Sequence, residues 1–195
     1  MNAQSIQHFM TMAVLVMYLC NSVGGFKAIQ PSENDGISKK VEDAKKDGWK
    51  YLNSTRKLYQ TFIEHVSQKE AKDRCKAKGA TLANIHSQEE NDLLLKDAKE
   101  LPNSHGINYD TNVWIGLERT GNTFTWSDGS KLDYSNWGQS EPNFYQQREF
   151  CVVFNQYTDM NGHFPTGSWN DWFCENKVRG YVCEMFAVEY HRVSA

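Results

Sequence analysis

The sequence predicts an α+β fold, and two observations carry that prediction. Two capping-box helices stand in the first half, and short strand-like runs separated by long loops fill the second. Four cysteines lie beyond an apolar amino-terminal stretch. At 195 residues the chain has room for one domain with tails. Lys plus Arg is 21 and Asp plus Glu is 24, a net charge of −3, which argues against nucleic acid or an anionic membrane as the main partner.

Residues 9–19 are apolar apart from Thr11, and the first charged side chain is Lys27. Spanning a bilayer takes about 20 apolar residues, so this run is too short. Followed by Cys20-Asn21-Ser22-Val23-Gly24-Gly25, it is expected to be a secretory signal peptide over residues 1–25. The rival reading is a short amino-terminal anchor or a core helix. The expectation is a secreted, extracellular protein with no membrane span once the signal is removed. Residues 26–46 are polar and charged, and they are expected to form a linker with material for a helical turn or two. Asn53-Ser54-Thr55 is a sequon for N-glycosylation.

Ser67-Gln68-Lys69-Glu70 is a capping box, with Val66 and Ala71 placed as its hydrophobic staple. The helix it opens should run to Lys78 and stop at Gly79, with Ala71 and Cys75 on one inward face. Ser87-Gln88-Glu89-Glu90 opens a second helix, which must end before Pro102. Val113-Trp114-Ile115-Gly116-Leu117, Thr123-Phe124-Thr125-Trp126, Cys151-Val152-Val153-Phe154 and Tyr181-Val182-Cys183 read as strands. Residues 127–150 lack a periodic pattern, and so long a loop in a compact domain is usually functional. Removing residues 1–25 takes away Cys20 and leaves Cys75, Cys151, Cys174 and Cys183. That even count predicts two disulfides, with three connectivities open, and the spacings do not suit zinc.

The loop region carries an ordered set of oxygen donors: Glu141-Pro142-Asn143, then Glu149, then Trp169-Asn170-Asp171. Three carboxylates and two amides suit Ca²⁺, a hard cation that takes six to eight oxygens. A cis Glu141–Pro142 bond would turn Glu141 and Asn143 toward one point. Trp114, Trp126 and Trp169 are expected in the core. His65, His86 and His105 lie away from the donors, and Asp159-Met160-Asn161-Gly162 is expected to be a turn. Phe144 and Tyr145 suit either contact with a second sugar ring or packing of the loop.

With these residues in place the chain resembles the C-type lectin-like domain family. Trp114-Ile115-Gly116-Leu117 matches its core strand signature, and Trp126-Ser127-Asp128-Gly129 matches the segment that follows. Glu141-Pro142-Asn143 is similar to its mannose-type sugar motif, and Trp169-Asn170-Asp171 to its calcium strand motif. The resemblance covers residues 47–187, leaving 188–195 as a tail. It implies the short form of the fold: two helices, small antiparallel sheets and a long calcium-binding loop region. It also implies Cys75–Cys183 and Cys151–Cys174 as the disulfides. Glu141, Asn143, Glu149, Asn170 and Asp171 are then the ligands of one principal Ca²⁺ and also the groups that bind the sugar.

The implied function is non-enzymatic: calcium-dependent binding of mannose- or fucose-type glycans on microbial or other cell surfaces. Any assembly is expected to be non-covalent, because the four cysteines are used internally. The chain departs from the family in having Phe144 and Phe150 where an auxiliary calcium site usually has oxygen donors, and in a long 152–168 segment. Two alternatives compete. One is a calcium-independent protein-interaction module on the same fold. The other is a glycosidase using Glu141 and Glu149, although carboxylates bound to calcium are poor proton donors.

Overall fold

The computed structural model describes residues 31–100, 112–156 and 165–187. The expected signal peptide, His105, the 159–162 turn and the 188–195 tail lie outside the described residues. The chain divides into two units, residues 1–39 and 40–195. In the first, the described part is the start of helix α1, Pro31–Lys46. The expected turn or two is therefore a helix of 16 residues. Lys45 and Lys46 close its last turn, where the helix dipole favours cations, and pair back to Glu42 at 2.8 Å and Asp43 at 2.9 Å.

The second unit carries β1 (Lys50–Leu52), β2 (Lys57–Val66), α2 (Gln68–Ala77), β3 (Thr81–Leu82) and α3 (Gln88–Glu100). Then come β4 (Asn112–Thr120), β5 (Thr123–Trp126), β6 (Cys151–Asn155), β7 (Trp169–Trp172) and β8 (Val178–Phe186). Helix α2 begins as its sequence requires. The Ser67 side chain accepts the Glu70 N–H, and Glu70 reaches back to the Ser67 N–H at 2.8 Å. Val66 and Ala71 are buried beside it. At α3 the Glu90 N–H donates to Ser87 Oγ at 3.2 Å, but the Glu90 carboxylate takes the His86 N–H at 2.7 Å instead of that of Ser87. Its other oxygen accepts the Tyr59 hydroxyl at 2.7 Å, so one buried carboxylate ties α3 to β2.

The strands form one mixed sheet rather than small antiparallel ones, in the order β1-β2-β8-β4-β6-β7, with β3 beside β8 and β5 beside β4. The departure lies at β8, which pairs antiparallel with β2 but parallel with β4 through Val113↔Gly180 and Trp114↔Tyr181. The returning carboxyl-terminal strand thus enters between two strands laid down much earlier. Gly180 permits the approach, because a Cβ there would collide with the Phe62 carbonyl oxygen.

Both disulfides are those the resemblance implies. Cys75–Cys183 joins α2 to β8 across 108 residues, and Cys151–Cys174 joins the start of β6 to the segment after β7 across 23. Trp114, Trp126 and Trp169 are all buried, and Trp114 donates its indole N–H to the Val66 carbonyl at 2.9 Å. Gly116 and Ser127, from the two sequence signatures, meet at one place. Ser127 Oγ donates to Asn84 Oδ1 at 3.0 Å, and a Cβ on Gly116 would stand 2.5 Å from that same oxygen. Asn84 in turn donates to the buried Glu184, which also receives Lys57 at 3.1 Å. These signature residues are therefore framework.

Candidate functional site

The loop that follows β5 is pinned to β7 by its backbone. Trp169 N–H donates to the Asn136 carbonyl at 2.8 Å, and Gly138 N–H donates to the Trp169 carbonyl at 2.8 Å. Trp137 and Tyr134 pack edge-on against the Trp169 ring, whose own N–H is held by Asn91 on α3 at 2.9 Å. The pin carries the chain directly into Glu141-Pro142-Asn143. The Glu141–Pro142 bond is cis, and the flanking side chains meet, Asn143 Nδ2 donating to Glu141 Oε1 at 3.0 Å.

Glu141, Asn143 and Asp171 are linked beside β7, Glu149 is close enough to feel the Asp171 charge, and Asn170 precedes Asp171 on the strand. Asp171, fully buried, accepts the N–H groups of Asn143 at 3.0 Å and Phe144 at 2.9 Å, one on each oxygen. Glu149 accepts the Tyr145 N–H at 2.9 Å. The β6–β7 register places Asn170 opposite Val153 and Asp171 opposite Val152, while the Cys151–Cys174 bond brings the two strand ends together. Asn170 is buried, and its Oδ1 has no hydrogen-bond partner. Of the partnerless buried side-chain atoms among the described residues, it is the one pure acceptor; the others are N–H donors or hydroxyls.

Electrostatics sharpen the picture. Burial pushes the Glu141 carboxyl up to about 7, and the adjoining Asp171 carboxyl adds to the shift. Burial likewise pushes Glu149 up to about 7; the Tyr145 N–H and the charge of Arg119 pull it down, while Asp171 raises it. Three carboxylates thus crowd one region, supported mainly by amide N–H groups.

These residues fit a hard cation in kind: each carboxylate keeps lone pairs beyond its amide bonds, and Asn170 offers an unused oxygen. They are not drawn tightly together, since no group of three His, Cys, Asp or Glu among the described residues converges on a common point. The side chains lean on the loop backbone instead.

Phe144 and Tyr145, which the sequence leaves open, separate. Phe144 stacks on Phe124 at 6.1 Å and packs the loop, whereas Tyr145 is exposed, with the edge of Phe173 against its ring. His86 sits apart from the donors, paired with Asp133 at 2.7 Å. Asn53 stands exposed in the turn between β1 and β2. Sequence reasoning missed Arg119, whose only signal was a cation near the polar end of a strand that begins as an apolar run.

Residues 64–185 match the family described as the Lectin C-type domain, and the chain belongs to that family. It is 37% identical over 140 residues to the human low affinity immunoglobulin epsilon Fc receptor, covering 71% of this chain but only 38% of that protein. It is 31% identical over 134 residues to a snaclec of Echis carinatus, a coagulation factor IX/factor X-binding protein, covering 65% of this chain and 90% of the relative. Among solved structures it is similar to the cow C-type carbohydrate-recognition domain of CD23, crystallised in the presence of GlcNAc2Man3 oligosaccharide. That match has 31% identity and a TM-score of 0.58, covering 72% of this chain and 95% of the other. No described helix is long and apolar enough to cross a membrane.

Proposed function

We propose that this chain is a secreted, calcium-dependent lectin of mannose or fucose type that recognises glycans on microbial or other cell surfaces. The observation that carries the reading is Asn170 Oδ1, a buried pure acceptor without a partner, on the residue that precedes Asp171, whose carboxyl adjoins that of Glu141. An unsatisfied buried acceptor costs about 1–3 kcal/mol, a cost that a cation would remove. Glu141, Asn143, Glu149, Asn170 and Asp171 would hold one principal Ca²⁺. Bound there, the ion supplies coordination positions for two neighbouring sugar hydroxyls. The chain's own part is to read those hydroxyls: the carboxylates accept their hydrogen bonds and the amides donate. Glu141 and Asn143, side by side, set the left-right order of acceptor and donor. Two equatorial vicinal hydroxyls, as on the 3- and 4-positions of mannose, suit that order.

The same reading makes the chain a binding protein without catalysis, with residues 26–46 as a linker to a lectin domain at 47–187. The test is binding to a mannose-rich glycan surface with calcium and with a chelator, with free mannose and free galactose as competitors. A second reading, a calcium-independent protein-binding module, draws on the two Asp171 oxygens already accepting loop N–H groups. It predicts binding that ignores the chelator.

A further inference from the structure

We infer that Arg119 is a positioning residue: a built-in cation that holds the loop 140–150 in its site-forming shape whether or not a metal ion is present. The inference rests on the proposed site but concerns only how this chain shapes it.

The loop needs an external hold. Ser140, Phe144, Gln146 and Gln147 all have positive φ, between 53° and 65°, a region that side-chain-bearing residues enter at a cost. The short 3₁₀ turn Tyr145–Gln147 has no side-chain cap. A backbone this strained persists only where its surroundings over-determine it. Asp171 and Glu149 grip it through amide N–H groups, but they are themselves the crowded carboxylates.

Arg119 supplies the remaining grip. It lies on β4 one residue from the strand's end, is only 7% exposed, and sits opposite Phe124 in the β4–β5 register. Its main-chain N–H donates to the Phe150 carbonyl at 2.8 Å. Its Nε donates to the Glu149 carbonyl at 3.1 Å, and Nη1 to the Gly121 carbonyl at 3.2 Å. The guanidinium carbon is 4.9 Å from the Phe144 ring centre and 4.6 Å from that of Phe150. Phe144 and Phe150 bracket the loop that contains Glu149, so one side chain fixes its two ends and the backbone of a ligand.

A guanidinium suits the task because its planar fork donates in fixed directions while its faces lie on aromatic rings. Such a charge is costly to bury unless it is well used, and here it meets two carbonyls and two rings. Its Nη2, also buried, has no partner, so the residue is not placed there for ideal hydrogen bonding. What it does achieve is a fixed positive charge beside Glu149 and a fixed path for residues 144–150.

The test compares wild type with Arg119→Met, which keeps length and packing but removes the charge and the fork. Metal-free protein in chelator is treated with trypsin, and cleavage after the exposed Arg148 is timed against cleavage at exposed lysines of α2. Calcium affinity is measured in parallel by calorimetry. The expected result is cleavage after Arg148 about tenfold faster in the variant, with α2 sites unchanged, and a calcium dissociation constant raised about tenfold. Arg119→Lys, which retains charge without the fork, should fall between the two.

If Arg119→Met does not fold, Phe144→Leu and Phe150→Leu remove the ring contacts while keeping the guanidinium, and each should raise the loop's cleavage rate a fewfold. Equal rates at Arg148 in wild type and variants would overturn the inference and leave Arg119 a packing residue. Should wild type bind no calcium, the proposed function fails, but the metal-free cleavage rates still decide the role of Arg119.

Discussion

The carboxylate at the centre of the framework and those of the loop beside β7 are held differently. Glu184, on β8, is met by Lys57 at 3.1 Å and by the backbone and side-chain N–H groups of Asn84, so the framework answers its charge internally. Around β7, the described partners of Glu141, Glu149 and Asp171 are amide N–H groups, and Asn170 Oδ1 has none. Burial raises Glu184, Glu141 and Glu149 alike to about 7, with a neighbouring carboxylate adding to each rise, so the regions differ in their hydrogen-bond partners rather than in the direction of the shift. The contrast distinguishes a polar network that finishes the fold from one that keeps acceptors in reserve. On the proposed reading the first serves stability and the second serves binding.

The contrast breaks most visibly when the framework is removed. Trp114→Ala empties a fully buried site and strands the Val66 carbonyl, so about 3–5 kcal/mol of stability should be lost, with glycan binding going down alongside it. Urea denaturation read by far-UV dichroism measures this. Asp171→Asn should do the reverse. Calcium affinity falls by at least about tenfold, as expected when a charged ligand becomes neutral, while the urea midpoint moves little. Titration calorimetry beside the same denaturation series shows whether the two regions separate.

A pH series sharpens the comparison further. Glu141 and Glu149 titrate near 7 in the folded metal-free chain but near about 4.3 when unfolded. A raised folded pKa favours the native state fully below the unfolded value, and that favour is lost as pH rises through 7. Glu184 acts in the same direction in the framework. In chelator, thermal stability should therefore decline between about pH 5 and pH 7.5. With calcium present the loop's share of the decline should vanish, since the ion favours the ionised carboxylates, leaving only that of Glu184. Differential scanning calorimetry with and without chelator isolates the loop, and parallel curves would assign the whole effect to the framework.

A smaller effect is expected from exchanging Glu141→Gln with Asn143→Asp. Summed charge and oxygen count are kept, so calcium should still bind, while preference shifts from mannose toward galactose by a fewfold in a competition assay. Smallest of all is Asn53→Gln, in an exposed turn between β1 and β2. It should remove any glycan carried there, seen as a mass change, and leave sugar binding unaltered.

Much of this was legible in the sequence because local chemistry carried it. Ser67 and Glu70 announce α2, and the runs around Gly116 and Ser127 carry the family resemblance, whose close-packed junction only the structure displays. β2 escaped notice although it is ten residues long. Its Lys57 and Thr61 are buried by partners 127 and 36 residues away, so its run of polar and apolar residues looks unlike a buried strand. The placing of β8 was hidden for the same reason: it pairs parallel with a distant β4, and on its other side Gly180 must admit the β2 backbone at Phe62. At the site, the five oxygen donors could be named from order and type. What the sequence could not display was how they are held: the Asn136–Trp169 pin and the Arg119 clamp are contacts across tens of residues.

The central claim is that the loop's reserved oxygens await a calcium ion and, through it, a glycan. Binding of the chain to an immobilised mannose-rich glycan, measured in calcium and again in excess chelator, tests this most directly. The account predicts saturable binding in calcium that free mannose competes away and that chelation abolishes. Binding of equal strength in chelator would contradict it and make this C-type lectin domain a calcium-independent interaction module.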